Sequence, residues 1–95
     1  MIKHVYLYKL KDKQTAREVA ERLMTMKTNI PSVAAVEVGI DFAGAAASFD
    51  LLEMVCCKTE EDFRAFCTDP YHDQIRAYMK TVVQEGYKVD YRCDP

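Results

Sequence analysis

Residues 2–11 read Ile2-Lys3-His4-Val5-Tyr6-Leu7-Tyr8-Lys9-Leu10-Lys11, and the fold follows from how this stretch alternates. Side chains of an extended strand point to opposite faces in turn, so Ile2, His4, Tyr6, Tyr8 and Leu10 share one face. The other face holds Lys3, Val5, Leu7, Lys9 and Lys11, an apolar centre bounded by lysines. A sheet covered on one side only has no use for that second apolar set. The strand therefore predicts helices over one face and a further covering surface over the other.

Working outward, Thr15 stands three residues before Glu18, the spacing of a capping box, and Ala16, Val19, Ala20, Leu23 and Met26 recur at helical intervals. This helix is expected to end near Thr28-Asn29. Pro31 cannot join a helix interior, and Ile30 before it is biased to extended geometry. Residues 33–42 alternate again, with Val36, Val38, Ile40 and Phe42 opposite Glu37, Gly39 and Asp41. The small neutral run Ala43-Gly44-Ala45-Ala46-Ala47-Ser48 then connects to a third strand across residues 49–58, forming an antiparallel hairpin. In that strand either Leu51 and Val55 or Leu52 and Met54 face away from the helices.

Thr59 opens the next helix, with Glu60, Glu61 and Asp62 where the positive end of the helix dipole favours acids. Phe63, Phe66 and Cys67 form its buried side. Asp69-Pro70 reads as an N-cap followed by proline at the first helical position, so a new axis begins there. Tyr71, Ile75, Tyr78, Met79, Val82 and Val83 give this last helix its apolar face, and Gly86 suits its C-terminal stop. Tyr87, Val89, Tyr91 and Cys93 then alternate with Lys88, Asp90 and Arg92 in a final strand, with core packing expected for Tyr78, Tyr87 and Tyr91.

The order β-α-β-β-α-β defines an α+β, ferredoxin-like protomer, an antiparallel sheet with helices on one face. With 95 residues, the chain is expected to form a single domain over residues 1–95. A domain this short buries only roughly 60–65% of its unfolded surface and needs a staple. Cys56, Cys57, Cys67 and Cys93 show neither a disulfide framework nor zinc-ligand spacing, so reduced thiols are expected and no metal. A partner sheet is the remaining economical staple, which predicts a homodimer through the open sheet face.

Thirteen Lys and Arg against fifteen Asp and Glu give a net charge of −2, scattered rather than clustered, which argues against a nucleic-acid partner. No apolar run approaches the roughly 20 residues needed to cross a bilayer, and the first residues pass directly into a strand pattern. The expectation is a cytoplasmic protein without a membrane partner.

Several patterns stand in fixed order: Ile2-Lys3-His4, Ile30-Pro31-Ser32-Val33 before Glu37-Val38-Gly39, and Ser48-Phe49-Asp50-Leu51-Leu52. Asp62-Phe63, then Asp69-Pro70-Tyr71-His72, and finally Val89-Asp90-Tyr91 follow. Together they resemble the stress-responsive dimeric α/β-barrel (Dabb) domain family over about residues 2–91. That resemblance implies a ferredoxin-like protomer whose sheet pairs with that of its twin in a dimeric α/β barrel.

His4 and His72 are the only histidines. In such a fold both approach the space between sheet and helices, and a helix N-terminus favours a neutral His72 able to accept a proton, against the pull of Asp69 and Asp73. The resemblance adds that a plant cyclase of the family closes a linear polyketide by aldol chemistry without a cofactor, using a histidine in the setting of Pro70-Tyr71-His72. His4 matches the family's first-strand pocket histidine. The cyclase's partner tyrosine is matched here by Phe66, which has no hydroxyl, leaving Tyr6, Tyr8, Tyr71 or Tyr78 to supply a phenol.

The reading is a mostly apolar small-molecule pocket lined by His4, Tyr6, Tyr8, Phe66, Tyr71, His72 and Tyr78, with His72 as base and His4 as orienter or second donor. No cofactor is expected. A non-catalytic structural or interaction dimer is the alternative, and a cofactor-free monooxygenase a third reading.

Overall fold

A computed structural model describes residues 1–94. Its elements are β1 (Ile2–Leu10), α1 (Ala16–Met24), α2 (Met26–Asn29), β2 (Ala35–Ile40) and β3 (Leu51–Cys57), followed by α3 (Glu60–Thr68), α4 (Pro70–Val82) and β4 (Val83–Arg92). The strands form one antiparallel sheet in the order β2-β3-β1-β4. This is the ferredoxin-like arrangement expected from the strand and helix order.

The core lies between the sheet and the helices. Val19, Leu23, Met26 and Ile30 from the first helical stretch meet Leu51, Val55 and Cys57 of β3, and Phe66, Ile75 and Met79 of the second helix pair. Each fully buried large aliphatic or aromatic side chain contributes about 1.5–3 kcal/mol of transfer energy. The register resolves the third strand: Leu51 and Val55 are buried against the helices, and Leu52 and Met54 lie on the open face.

Four local expectations are corrected. Thr15 makes no capping box with Glu18. A 3-10 turn, Lys13–Thr15, precedes α1, and Asp12 caps it by accepting from the Gln14 N–H at 3.0 Å, while the Thr15 hydroxyl donates to the Asp12 carbonyl. Gly86 is not a helix stop. The helix ends at Val82, and Gly86 lies inside β4 opposite Tyr8, where a Cβ would meet Tyr8 Cδ1 at 3.1 Å. Tyr87 and Tyr91 are not core residues, since both are exposed on the open sheet face. Phe42, expected in the second strand, lies beyond its end and is fully exposed.

Cross-strand rows cover that open face. Gly39, Leu52, Leu7 and Tyr87 form one, and Glu37, Met54, Val5 and Val89 the next. β4 is an edge strand, and on the helix-covered face a gap lies between it and α4.

Candidate functional site

The gap holds a cavity of about 470 Å³. Its floor is the helix-facing side of β1 and β3, where His4, Tyr8 and Glu53 are buried. Phe63, Ile75, Met79 and Val83 line its walls, and the exposed Arg76, Lys80 and Lys88 mark its mouth.

His72 enters from the first turn of α4, and the sequence around it explains its pose. In an α-helix the carbonyl of Phe66 would accept from the N–H four residues on. That residue is Pro70, which has none. The freed carbonyl accepts from the Asp69 N–H at 3.3 Å and from His72 Nδ1 at 3.0 Å. Asp69 also caps α4 by accepting from the Tyr71 N–H at 2.8 Å, so one residue ends one helix and begins the next. Because a carbonyl only accepts, Nδ1 carries the hydrogen, and the lone pair is at Nε2.

Burial pushes the His72 imidazole down to about 4, and the Arg76 guanidinium and His4 add to the shift against the Phe66 carbonyl and Asp73. Neutrality at pH 7, expected from the helix terminus, thus rests chiefly on desolvation.

His4 arises from strand register. Asp90 lies directly across from it on β4, and its Oδ1 is 2.5 Å from His4 Nδ1. Lys88, two residues along β4, holds the other oxygen of Asp90 at 2.9 Å. Burial works against ionised Asp90, yet hydrogen bonds from Lys88 and His4 hold its carboxyl below the usual range. On the other side Glu53 pairs with Tyr6, which places its carboxylate between His4 and Tyr8. Tyr8 donates to Glu53 Oε1 at 2.8 Å, and His4 Nε2 lies 3.6 Å from Oε2. Burial raises the Glu53 carboxyl against the opposing pull of His4 and the Tyr8 hydrogen bond. Burial and the facing Glu53 also raise Tyr8, which keeps its phenol protonated as a donor.

The two histidine rings stand 6.4 Å apart, and Phe66 packs against both, stacking on His72 and edge-on to His4. Of the residues expected in the pocket, His4, Tyr6, Tyr8 and His72 line the cavity. Phe66, Tyr71 and Tyr78 do not. Phe66 lies wholly buried behind His72, the Tyr71 hydroxyl bonds to Thr25 Oγ1 at 2.6 Å, and Arg22 covers the Tyr78 ring.

Sequence reasoning missed Glu53 and Asp90. Glu53 shares the period-two face of Leu51 and Val55, so choosing that face as the buried one would have drawn the carboxylate inside with them. Asp90 falls in the Val89-Asp90-Tyr91 pattern, but it alternates with Lys88 and Arg92 along its strand, so nothing local marks it as a partner of His4.

All four cysteines are free thiols. Burial raises Cys67, beside the cavity, and raises Cys57 to about 11, so neither is poised as a thiolate. Among the described residues no group of three or more His, Cys, Asp or Glu side chains converges to hold a metal ion, and no helix is long and apolar enough to cross a membrane.

The family model of the stress responsive A/B barrel domain, Dabb, matches residues 2–93. The chain belongs to the Dabb family. Similar solved structures include a dimeric ferredoxin-like protein of unknown function from Thermobifida fusca, 22% identical, with TM-score 0.82 over 97% of this chain and 90% of that one. A protein from Arabidopsis thaliana is 16% identical with TM-score 0.85, over 100% and 97% of the two chains. The hydroxynitrile lyase of Passiflora edulis is 12% identical with TM-score 0.84, over 98% and 93%. At these identities the Dabb chain and its neighbours share a fold. No curated protein matches it by sequence.

Proposed function

We propose that this Dabb protein is a homodimer that binds a small, mostly apolar carbonyl compound and performs cofactor-independent acid/base chemistry on it. The observation that carries the reading is His72: a buried neutral imidazole, its Nδ1 hydrogen committed to Phe66, on the wall of a cavity shared with His4. A proton on the carbon next to a carbonyl passes to His72 Nε2, and the C–H electron pair moves into the carbonyl to form an enolate. His4 serves as the second donor, at the enolate oxygen. Return of a proton from His72, exchanged with solvent, completes the cycle.

An imidazole titrating at about 4 is a weak base, so the substrate must be an activated carbon acid, flanked by two carbonyls or by a carbonyl and an aryl group. The test is deuterium incorporation at the benzylic carbon of phenylacetone in D2O, followed by NMR. Wild type accelerates incorporation over buffer and His72→Gln does not; equal rates for the two proteins would overturn the reading.

Self-association is supported by the apolar rows on the open sheet face and by neighbours described as dimeric. A cytoplasmic location belongs to the same proposal and is supported by four unpaired thiols. The same sheet face also favours a second reading, an interaction dimer whose histidines only complete the core. In that case His72→Gln costs stability and changes no ligand affinity.

A further inference from the structure

Charge is unevenly placed around the cavity. The chain as a whole is net acidic, yet Arg76, Lys80 and Lys88 line the cavity against a single carboxylate, Glu53. The cations are exposed and Glu53 is buried at the floor. Arg76 and Lys88 have partners: Arg76 bonds to Asp73 at 2.6 Å and to the Cys67 carbonyl at 2.7 Å, and Lys88 bonds to Asp90 at 2.9 Å. Lys80 has no ion-pair or hydrogen-bond partner for its ammonium among the described residues.

Spacing aligns these groups. His72, Arg76 and Lys80 follow at intervals of four on α4, one stripe along the cavity wall. Lys80 lies roughly 12 Å along the axis from His72, and its flexible stem can swing back over part of that distance. Ile75, Met79 and Val83 supply the apolar surface beside this stripe.

We propose that the cavity selects an anionic ligand, a small apolar carboxylic acid whose carboxylate is held at the mouth by Lys80. The buried floor is the wrong place for that carboxylate, since it would be stripped of water there beside another carboxyl, Glu53. The ligand therefore enters with its neutral end first, toward His4 and His72, and keeps its acid outside. Arg76 and Lys88 add to the positive field at the mouth without giving up their own partners. This inference rests on the reading of the cavity as a small-molecule site.

The test uses two probes of matched size, 6-phenylhexanoate and 6-phenylhexanamide, titrated calorimetrically at low salt into wild type, Lys80→Gln and Lys80→Glu. Lys80 is exposed, so neither substitution threatens folding. Wild type should bind the acid about two- to fivefold more tightly than the amide. That preference should shrink in Lys80→Gln and shrink further in Lys80→Glu, while amide affinity stays constant and the wild-type preference fades with added salt. Equal affinity of wild type for acid and amide would overturn the charge selection and leave the cavity reading standing. A preference undiminished in Lys80→Gln would overturn the role of Lys80. Binding of neither probe would overturn the inference together with the cavity reading.

Discussion

Phe66 holds His72 at two points: its carbonyl accepts the imidazole Nδ1–H at 3.0 Å, and its ring stacks on the imidazole with centroids 4.1 Å apart. The first contact selects the tautomer and the second shields the ring from water. Both keep the neutral form in place.

Stability should record this. The imidazole titrates near 6.5 when unperturbed and at about 4 when folded. Between those values the unfolded chain binds a proton that the folded chain does not, so His72 lowers stability as pH falls through that window. Below about 4 both states are protonated and the contribution flattens. The full difference corresponds to about 3 kcal/mol, which solvent screening at this incompletely enclosed ring reduces to the order of 2 kcal/mol. Urea unfolding of wild type and His72→Gln from pH 4 to 7 should give a stability difference that changes with pH in this direction. A constant difference would contradict a depressed His72.

The buried carboxyl of Glu53 makes a second prediction. Glu53→Gln keeps an oxygen to accept from Tyr8 and should change stability by less than about 1 kcal/mol. Glu53→Leu leaves the Tyr8 hydroxyl buried without an acceptor and should cost about 1–3 kcal/mol more than Glu53→Gln in the same unfolding experiment. Similar costs for the two variants would mean that the Tyr8 to Glu53 bond contributes little.

How legible these features are in the sequence depends on how local their causes are. The Asp69-Pro70 boundary is read correctly because both signals, a capping carboxylate and a missing N–H, act within one turn. The two-sided pattern of β1 is equally plain, since period-two alternation needs no partner to be seen. Gly86 is misread because its reason is nonlocal: the stacked Tyr6 and Tyr8 rings of another strand occupy the space a side chain would take. Tyr71 and Tyr78 share helical spacing with core residues, and spacing alone does not say whether a phenol turns to the cavity or to α1. Glu53 and Asp90 reach His4 only through strand register, which a single sequence does not print.

Gly86 therefore offers a packing test. Gly86→Val would place a Cβ 3.1 Å from Tyr8 Cδ1 and 3.4 Å from Tyr6 Cε1. Relief requires the stacked rings, 4.7 Å apart, to shift. A cost of about 1–3 kcal/mol is expected, with a changed tyrosine signal in near-ultraviolet circular dichroism. An unchanged spectrum and stability would show that the strand edge yields freely.

The open sheet face predicts assembly. Leu7 is 41% exposed at the centre of an apolar row, flanked across the strands by Leu52 and Tyr87. Leu7→Asp puts a charge where two sheets are proposed to meet and should convert a dimer to a monomer in sedimentation velocity at micromolar concentration. A wild-type protein that already sediments as a monomer would refute the assembly.

The central claim is that His72 acts as a neutral base within the cavity, and the pH dependence of phenylacetone deuteration tests it most directly. The His72-dependent rate, wild type minus His72→Gln, should hold a plateau from pH 7 down to about pH 5 and fall to half near the imidazole midpoint of about 4. A half-maximum near 6.5, the ordinary histidine value, or no His72-dependent rate at any pH, would contradict it.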